Sequence, residues 1–162
     1  DETLTNAFTG ETDVWVLDGV WKWAPNGNAS QTNLKLQGEY FRRKEKGEAT
    51  YDQAGVGANT DAYRTSQSGW YVQGLYQFMP RWKVGLRYDQ LDSGTIEAGS
   101  NTSLVEEASK PSRTSVILDW SLTEFSKLRL QFNDDKARVD TRDRQIFLQY
   151  QMSLGAHGAH SY

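Results

Sequence analysis

Trp70-Tyr71-Val72-Gln73-Gly74-Leu75-Tyr76-Gln77-Phe78-Met79-Pro80-Arg81-Trp82-Lys83-Val84-Gly85-Leu86-Arg87-Tyr88-Asp89 decides the fold. On one side of Pro80, Trp70, Val72, Gly74, Tyr76 and Phe78 alternate with Tyr71, Gln73, Leu75 and Gln77. On the other, Trp82, Val84, Leu86 and Tyr88 alternate with Lys83, Gly85, Arg87 and Asp89. A period of two separates an apolar from a polar face only in extended chain, so this stretch reads as two strands joined by a tight turn.

The same period recurs outward in both directions. Upstream, Trp15, Leu17, Gly19, Trp21 and Trp23 alternate within Asp13 to Ala24, and Leu34, Leu36, Gly38 and Tyr40 alternate with Lys35, Gln37, Glu39 and Phe41. Downstream come Val116 to Leu122, Leu128 to Asn133 and Ile146 to Leu154. Seven strands result, and no segment holds a 3.6-residue period. The expected fold is all-β, an antiparallel transmembrane β-barrel with about seven or eight strands in this chain. Residues 1–162 form one outer-membrane barrel domain or the C-terminal portion of a larger barrel.

Composition agrees. The chain has 162 residues and is 37% hydrophobic, with mean hydropathy -0.73, yet it carries six Trp and is 12% aromatic. No run of about 18 apolar residues exists to form a membrane helix, but a barrel strand needs only about 9–11 residues, every second one apolar. The net charge of -3 and pI near 5.4 argue against nucleic acid as a partner. The absence of Cys excludes a disulfide framework.

Apolar alternation alone fits a soluble ligand-binding barrel too, with the apolar face inward. Two features favour lipid. Aromatic residues sit at strand ends, where two interfacial girdles would lie about 25 Å apart: Trp15, Trp21, Trp23, Tyr40, Trp70, Tyr76, Phe78, Trp82, Tyr88, Trp120, Phe132 and Tyr150. So many large side chains would also overfill a small barrel. The opposite face carries Asp18, Lys22, Lys35, Glu39, Lys83, Arg87, Asp89, Asp119, Lys127 and Arg129. An Arg or Lys at the lipid midplane costs about 2–4 kcal/mol, so these ten are expected to line the lumen.

Connections alternate in length. Met79-Pro80-Arg81 and Thr123-Glu124-Phe125-Ser126 are tight turns, Pro25-Asn26-Gly27-Asn28 begins a modest one, and Asp134 to Asp143 is a charged link of intermediate length. Lys46 to Ser68 and Asp92 to Arg113 read as long loops, extracellular in a bacterial outer-membrane barrel. Counting strand directions back from a periplasmic C-terminus places Asp1 to Thr12 outside, so an ascending strand is missing. Either Thr3 to Phe8 form an eighth strand or more strands belong to a larger barrel. About eight strands leave a filled interior and about 16 an aqueous channel.

Trp21-Lys22-Trp23-Ala24-Pro25-Asn26-Gly27-Asn28, Asn33 through Arg43, Tyr76 through Asp89 and the ending Ile146 through Tyr162 together resemble a family of proteobacterial porin-like outer-membrane β-barrel proteins. Some members are labelled zinc-regulated TonB-dependent outer membrane receptors. The resemblance implies that this chain corresponds to the C-terminal part of longer proteins. It implies outer-membrane location and a transport role; with no plug domain in the chain, energised uptake is not carried over.

The expected function is a passive diffusion channel or part of its wall, with no enzymatic activity and no cofactor. The alternatives are a small closed outer-membrane barrel, structural or binding partners through its extracellular loops, and the soluble barrel named above. Partners would be outer-membrane lipid, lipopolysaccharide, the insertion machinery, and further strands of the same barrel or another envelope protein. His157 and His160, the only histidines, could offer two imidazoles to a metal; the default reading is the closing strand's end, with Tyr162 as insertion signal. No nucleophile and base are paired in the sequence, and Gly55 and Gly57 do not open a helix as a phosphate cradle would. Glu106-Glu107 and Asp134-Asp135 read as solvated or cation-bridged loop charges.

Overall fold

The computed structural model describes residues 6–52, 58–101, 110–138 and 141–154. It contains strands β1 (Asn6–Trp23), β2 (Asn33–Tyr51), β3 (Asn59–Met79), β4 (Trp82–Glu97), β5 (Ser112–Thr123), β6 (Ser126–Arg138) and β7 (Thr141–Met152). Each pairs antiparallel with the next, in the order β1-β2-β3-β4-β5-β6-β7. Among the described residues no helix is long and apolar enough to cross a membrane.

The all-β, antiparallel expectation holds. Closure does not: β1 and β7 each pair with one neighbour, and the sheet is open. Both edges present unpaired backbone N–H and C=O groups, which in a stable protein must be satisfied elsewhere.

The strands are longer than expected. Most of the stretch from Lys46 to Ser68 is strand, since β2 runs to Tyr51 and β3 starts at Asn59. From Asp92 to Arg113, strand continues to Glu97 and resumes at Ser112. The link from Asp134 to Asp143 is also mostly strand, leaving two residues between β6 and β7. Asn6–Thr12 are neither a loop nor an eighth strand; they continue β1 and pair with Tyr51–Glu45 of β2. The cause is common to all four. These segments hold only scattered apolar residues, so they carry no apolar alternation, while the backbone ladder that extends them needs none. Connection lengths are correspondingly less asymmetric than expected.

Two local features fix the hairpins. Pro80 and Arg81 join β3 to β4, and Arg81 lies at φ 72. Pro followed by a left-handed residue is the combination of a type II turn. In the extension of β1 and β2, Gly10 and Gly47 are directly opposed, and a Cβ on Gly47 would stand 2.2 Å from the Thr9 carbonyl oxygen. The two backbones approach too closely for a side chain. The Phe8 ring lies beside them and meets Tyr63 edge-on at 5.4 Å.

Register joins the apolar half of every strand into one face. Reading laterally, Trp21, Leu36, Gly74, Leu86, Val116, Phe132 and Ile146 are successive partners. A second row begins at Trp82 and passes through Trp120 and Leu128 to Tyr150, with the two indoles stacked at 5.5 Å. This face is uncovered: Trp15 is 73% exposed, Ile146 74% and Leu148 75%. The buried positions within strands, including Ser115 at 1% and Ile117 at 2%, project from the opposite, polar face.

Candidate functional site

The polar face gathers all ten charged residues singled out in the sequence. One lateral row reads Asp18, Glu39, Tyr71, Asp89, Arg113, Asp135 and Asp143. A second, nearer the Pro80 turn, reads Asn33, Gln77, Lys83, Asp119, Arg129 and Gln149. Between them, Lys22 and Lys35 face each other across β1 and β2. The first row is dominated by carboxylates, and the region toward Pro80 by cations.

Some of these charges pair. Arg129 donates from Nε to Asp119 Oδ1 at 2.7 Å and from Nη2 to Oδ2 at 2.8 Å, and Lys127 approaches the same carboxylate at 3.8 Å. Arg87 donates to Asp89 at 2.6 Å and its guanidinium lies 3.8 Å from the Tyr71 ring centroid. Arg113 pairs with Asp135, whose side chain is nearly buried. Planar guanidinium groups hold two acceptors in fixed geometry, so Arg129–Asp119 and Arg113–Asp135 lock β5 to β6, while Arg87–Asp89 lies along β4.

Apolar residues also stand on the polar face: Val14, Val16 and Val20 on β1 and Phe147 on β7 are exposed there, and two groups lie across glycines. Phe41 and Leu91 lean across Gly69, and Leu75 lies over Gly85 beside Ile117. Glycine at those positions leaves room for the neighbouring side chains to lie flat on the sheet.

Sequence reasoning missed Arg113, Asp135 and Asp143, because they fall where loops were expected. The signal was available: they continue the odd-numbered positions of Ile117, Asn133 and Gln145 on their respective strands. It also missed a cluster beyond the apolar region. There Tyr51 Oη donates to Asp61 Oδ2 at 2.5 Å, and Ser100 donates to the same oxygen from Oγ at 2.6 Å and from its amide at 2.9 Å. Tyr51 is only 3% exposed, and the cluster fastens the segment after β4 onto the β2–β3 hairpin. The Ser100 hydroxyl, then Tyr51 and the Ser100 amide, hold the Asp61 carboxyl below its usual range.

All twelve residues of the expected aromatic girdle lie on the apolar face. Its boundary away from the short Pro80 turn follows Trp15, Tyr40, Trp70, Tyr88, Val116, Phe132 and Ile146, beyond which the same face carries Arg42, Ser68, Gln90, Thr114, Asp134 and Arg144. That boundary is not parallel to the lateral rows. The row through Ile146 reaches β1 at Trp21, six residues from Trp15. The opposite boundary shifts the same way but less: the row through Trp23 reaches β7 at Leu148, four residues short of Met152, the last residue of β7.

His157, His160 and Tyr162 lie outside the described residues. Among the described residues no group of three or more His, Asp or Glu side chains is placed to hold a metal.

No family model matches the chain, and no solved structure matches it. It is similar to an "Uncharacterized protein" of Aquifex aeolicus (strain VF5), 28% identical over 167 residues covering 100% of this chain and 33% of that protein. The chain thus spans about a third of the length of the curated relative it matches.

Proposed function

We propose that the chain is part of the wall of an outer-membrane β-barrel through which small polar solutes diffuse passively. The observation that carries this reading is the slant of the apolar band. The boundary from Trp15 to Ile146 shifts six residues over the six strand-to-strand steps from β1 to β7, one residue per strand on average, and the opposite boundary shifts four in the same direction. A rise of about 3.3 Å per lateral step of about 4.8 Å corresponds to strands tilted by about 35°. Transmembrane barrel strands tilt by about 35–45°. A band that is oblique to the rows is therefore level in a membrane.

Its height agrees too. Trp15 and Trp23 on β1 are eight residues apart. At that tilt the band stands about 22 Å tall, against about 25 Å for an outer-membrane apolar belt. Extended apolar surface rimmed by polar residues on a single uncovered sheet fits lipid better than water. The two free edges and the greater length of the relative favour further strands over a small closed barrel. The charged face then lines an aqueous lumen, which provides a polar path without covalent chemistry.

Purified full-length polypeptide reconstituted in a planar bilayer tests the reading. Stepwise conductance above the lipid background is expected. A protein that fractionates with the soluble contents of the cell, or inserts without conducting, would overturn it.

A further inference from the structure

Resting on the channel reading, we infer that Lys22, Lys35 and Lys83 form an anion-binding arc at the short-turn mouth of the lumen, selecting small phosphate- or carboxylate-bearing solutes. These three residues, with Asn33, Trp23 and Leu34, line one cleft of about 370 Å³ at the short-turn end of the sheet. None makes an ion pair among the described residues. Asp119 is the register partner of Lys83, yet its carboxylate is turned to Arg129 and Lys127.

Lys22 and Lys35 are directly opposed on neighbouring strands. Like charges in that relation are destabilising, and a bound anion would relieve the repulsion. Asp18 and Glu39, the nearest carboxylates on those two strands, lie four residues away, about 13 Å along an extended chain, too far for contact.

The slant of the apolar band gives the arrangement its shape. A line descending one residue per strand from Lys22 passes within one residue of Lys35 on β2, Lys83 on β4 and Lys127 on β6. In a barrel tilted by about 35° these cations share one height above the membrane plane, near Trp23 at the edge of the apolar band. The carboxylates Asp18, Glu39, Asp89, Asp135 and Asp143 do not: they follow a lateral row and climb along the wall. A permeating ion therefore meets the lysines together and the acids one after another. Lysine ammonium groups are mobile point charges, suited to binding anions weakly enough to release them.

Reversal potentials in a potassium chloride gradient, across bilayers holding the full-length polypeptide, test the arc. The unaltered protein is expected to favour chloride, and inorganic phosphate to reduce the chloride current. The triple variant Lys22→Glu, Lys35→Glu, Lys83→Glu should lower the chloride-to-potassium permeability ratio at least about threefold and abolish the phosphate effect. Lys→Arg at the same three positions should keep both, and Lys46→Glu, in the polar extension, should change neither. Gel mobility with and without heating identifies a variant that failed to fold, in which case single Lys→Gln variants should show graded shifts. Conductance with an unmoved reversal potential overturns the arc and leaves the channel intact. No conductance from the unaltered protein overturns the channel and the arc together.

Discussion

Asp119 on β5 receives both Nε and Nη2 of Arg129 on β6, while Lys83, its partner on the other side, receives nothing from it. One buried carboxylate thus neutralises the cations of one side and leaves those of the other free. Asp119→Asn should destabilise the protein by about 2–3 kcal/mol, below the cost of a fully buried broken pair because the Arg129 side chain keeps 22% of its exposure. Urea unfolding of the reconstituted full-length protein measures this. Adding Arg129→Gln should recover much of the loss; an additive double variant would mean that the pair is not coupled.

The two faces should respond oppositely to charge. Leu86 is central in the apolar band on β4, whereas Gln37 on β2 projects from the polar face. Leu86→Arg should cost about 2–4 kcal/mol of folding free energy in lipid vesicles. Gln37→Arg should stay within about 1 kcal/mol. Equal costs would place the apolar face somewhere other than in lipid.

Acid should loosen the attachment of Ser100. The Asp61 carboxyl is held below its usual range by Ser100 and Tyr51, so it contributes stability above the unfolded value and loses it as pH falls through the lowered one. Amide exchange at Ser100, corrected for its intrinsic rate, should therefore accelerate as pH drops from about 4 toward about 2. Asp61→Asn should remove that acid step. Persistence of the step in the variant would assign it to another group.

The alternation from Trp70 to Asp89 was enough to show strand, hairpin and the sorting of Trp82 from Lys83, because side-chain direction in a strand depends only on odd or even position. For the same reason the sequence alone determined that the twelve aromatics would share one face and the ten charged residues the other. It could not determine how far the strands run. Glu45 to Tyr51 and Asn59 to Ser68 are strand through backbone hydrogen bonds to each other, and no apolar pattern marks them.

Register was likewise decided only by the tertiary structure. Which residue of β4 stands beside which residue of β5 depends on pairing between distant positions, and a shift of two residues keeps every side chain on its face. Pairing set the one-residue slant of the apolar band, and pairing turned Asp119 toward Arg129 and brought Lys22, Lys35 and Lys83 to one cleft. The open edges at β1 and β7 also lie beyond sequence reasoning. Alternation specifies the faces of a strand, while its neighbours are specified by geometry across the sheet.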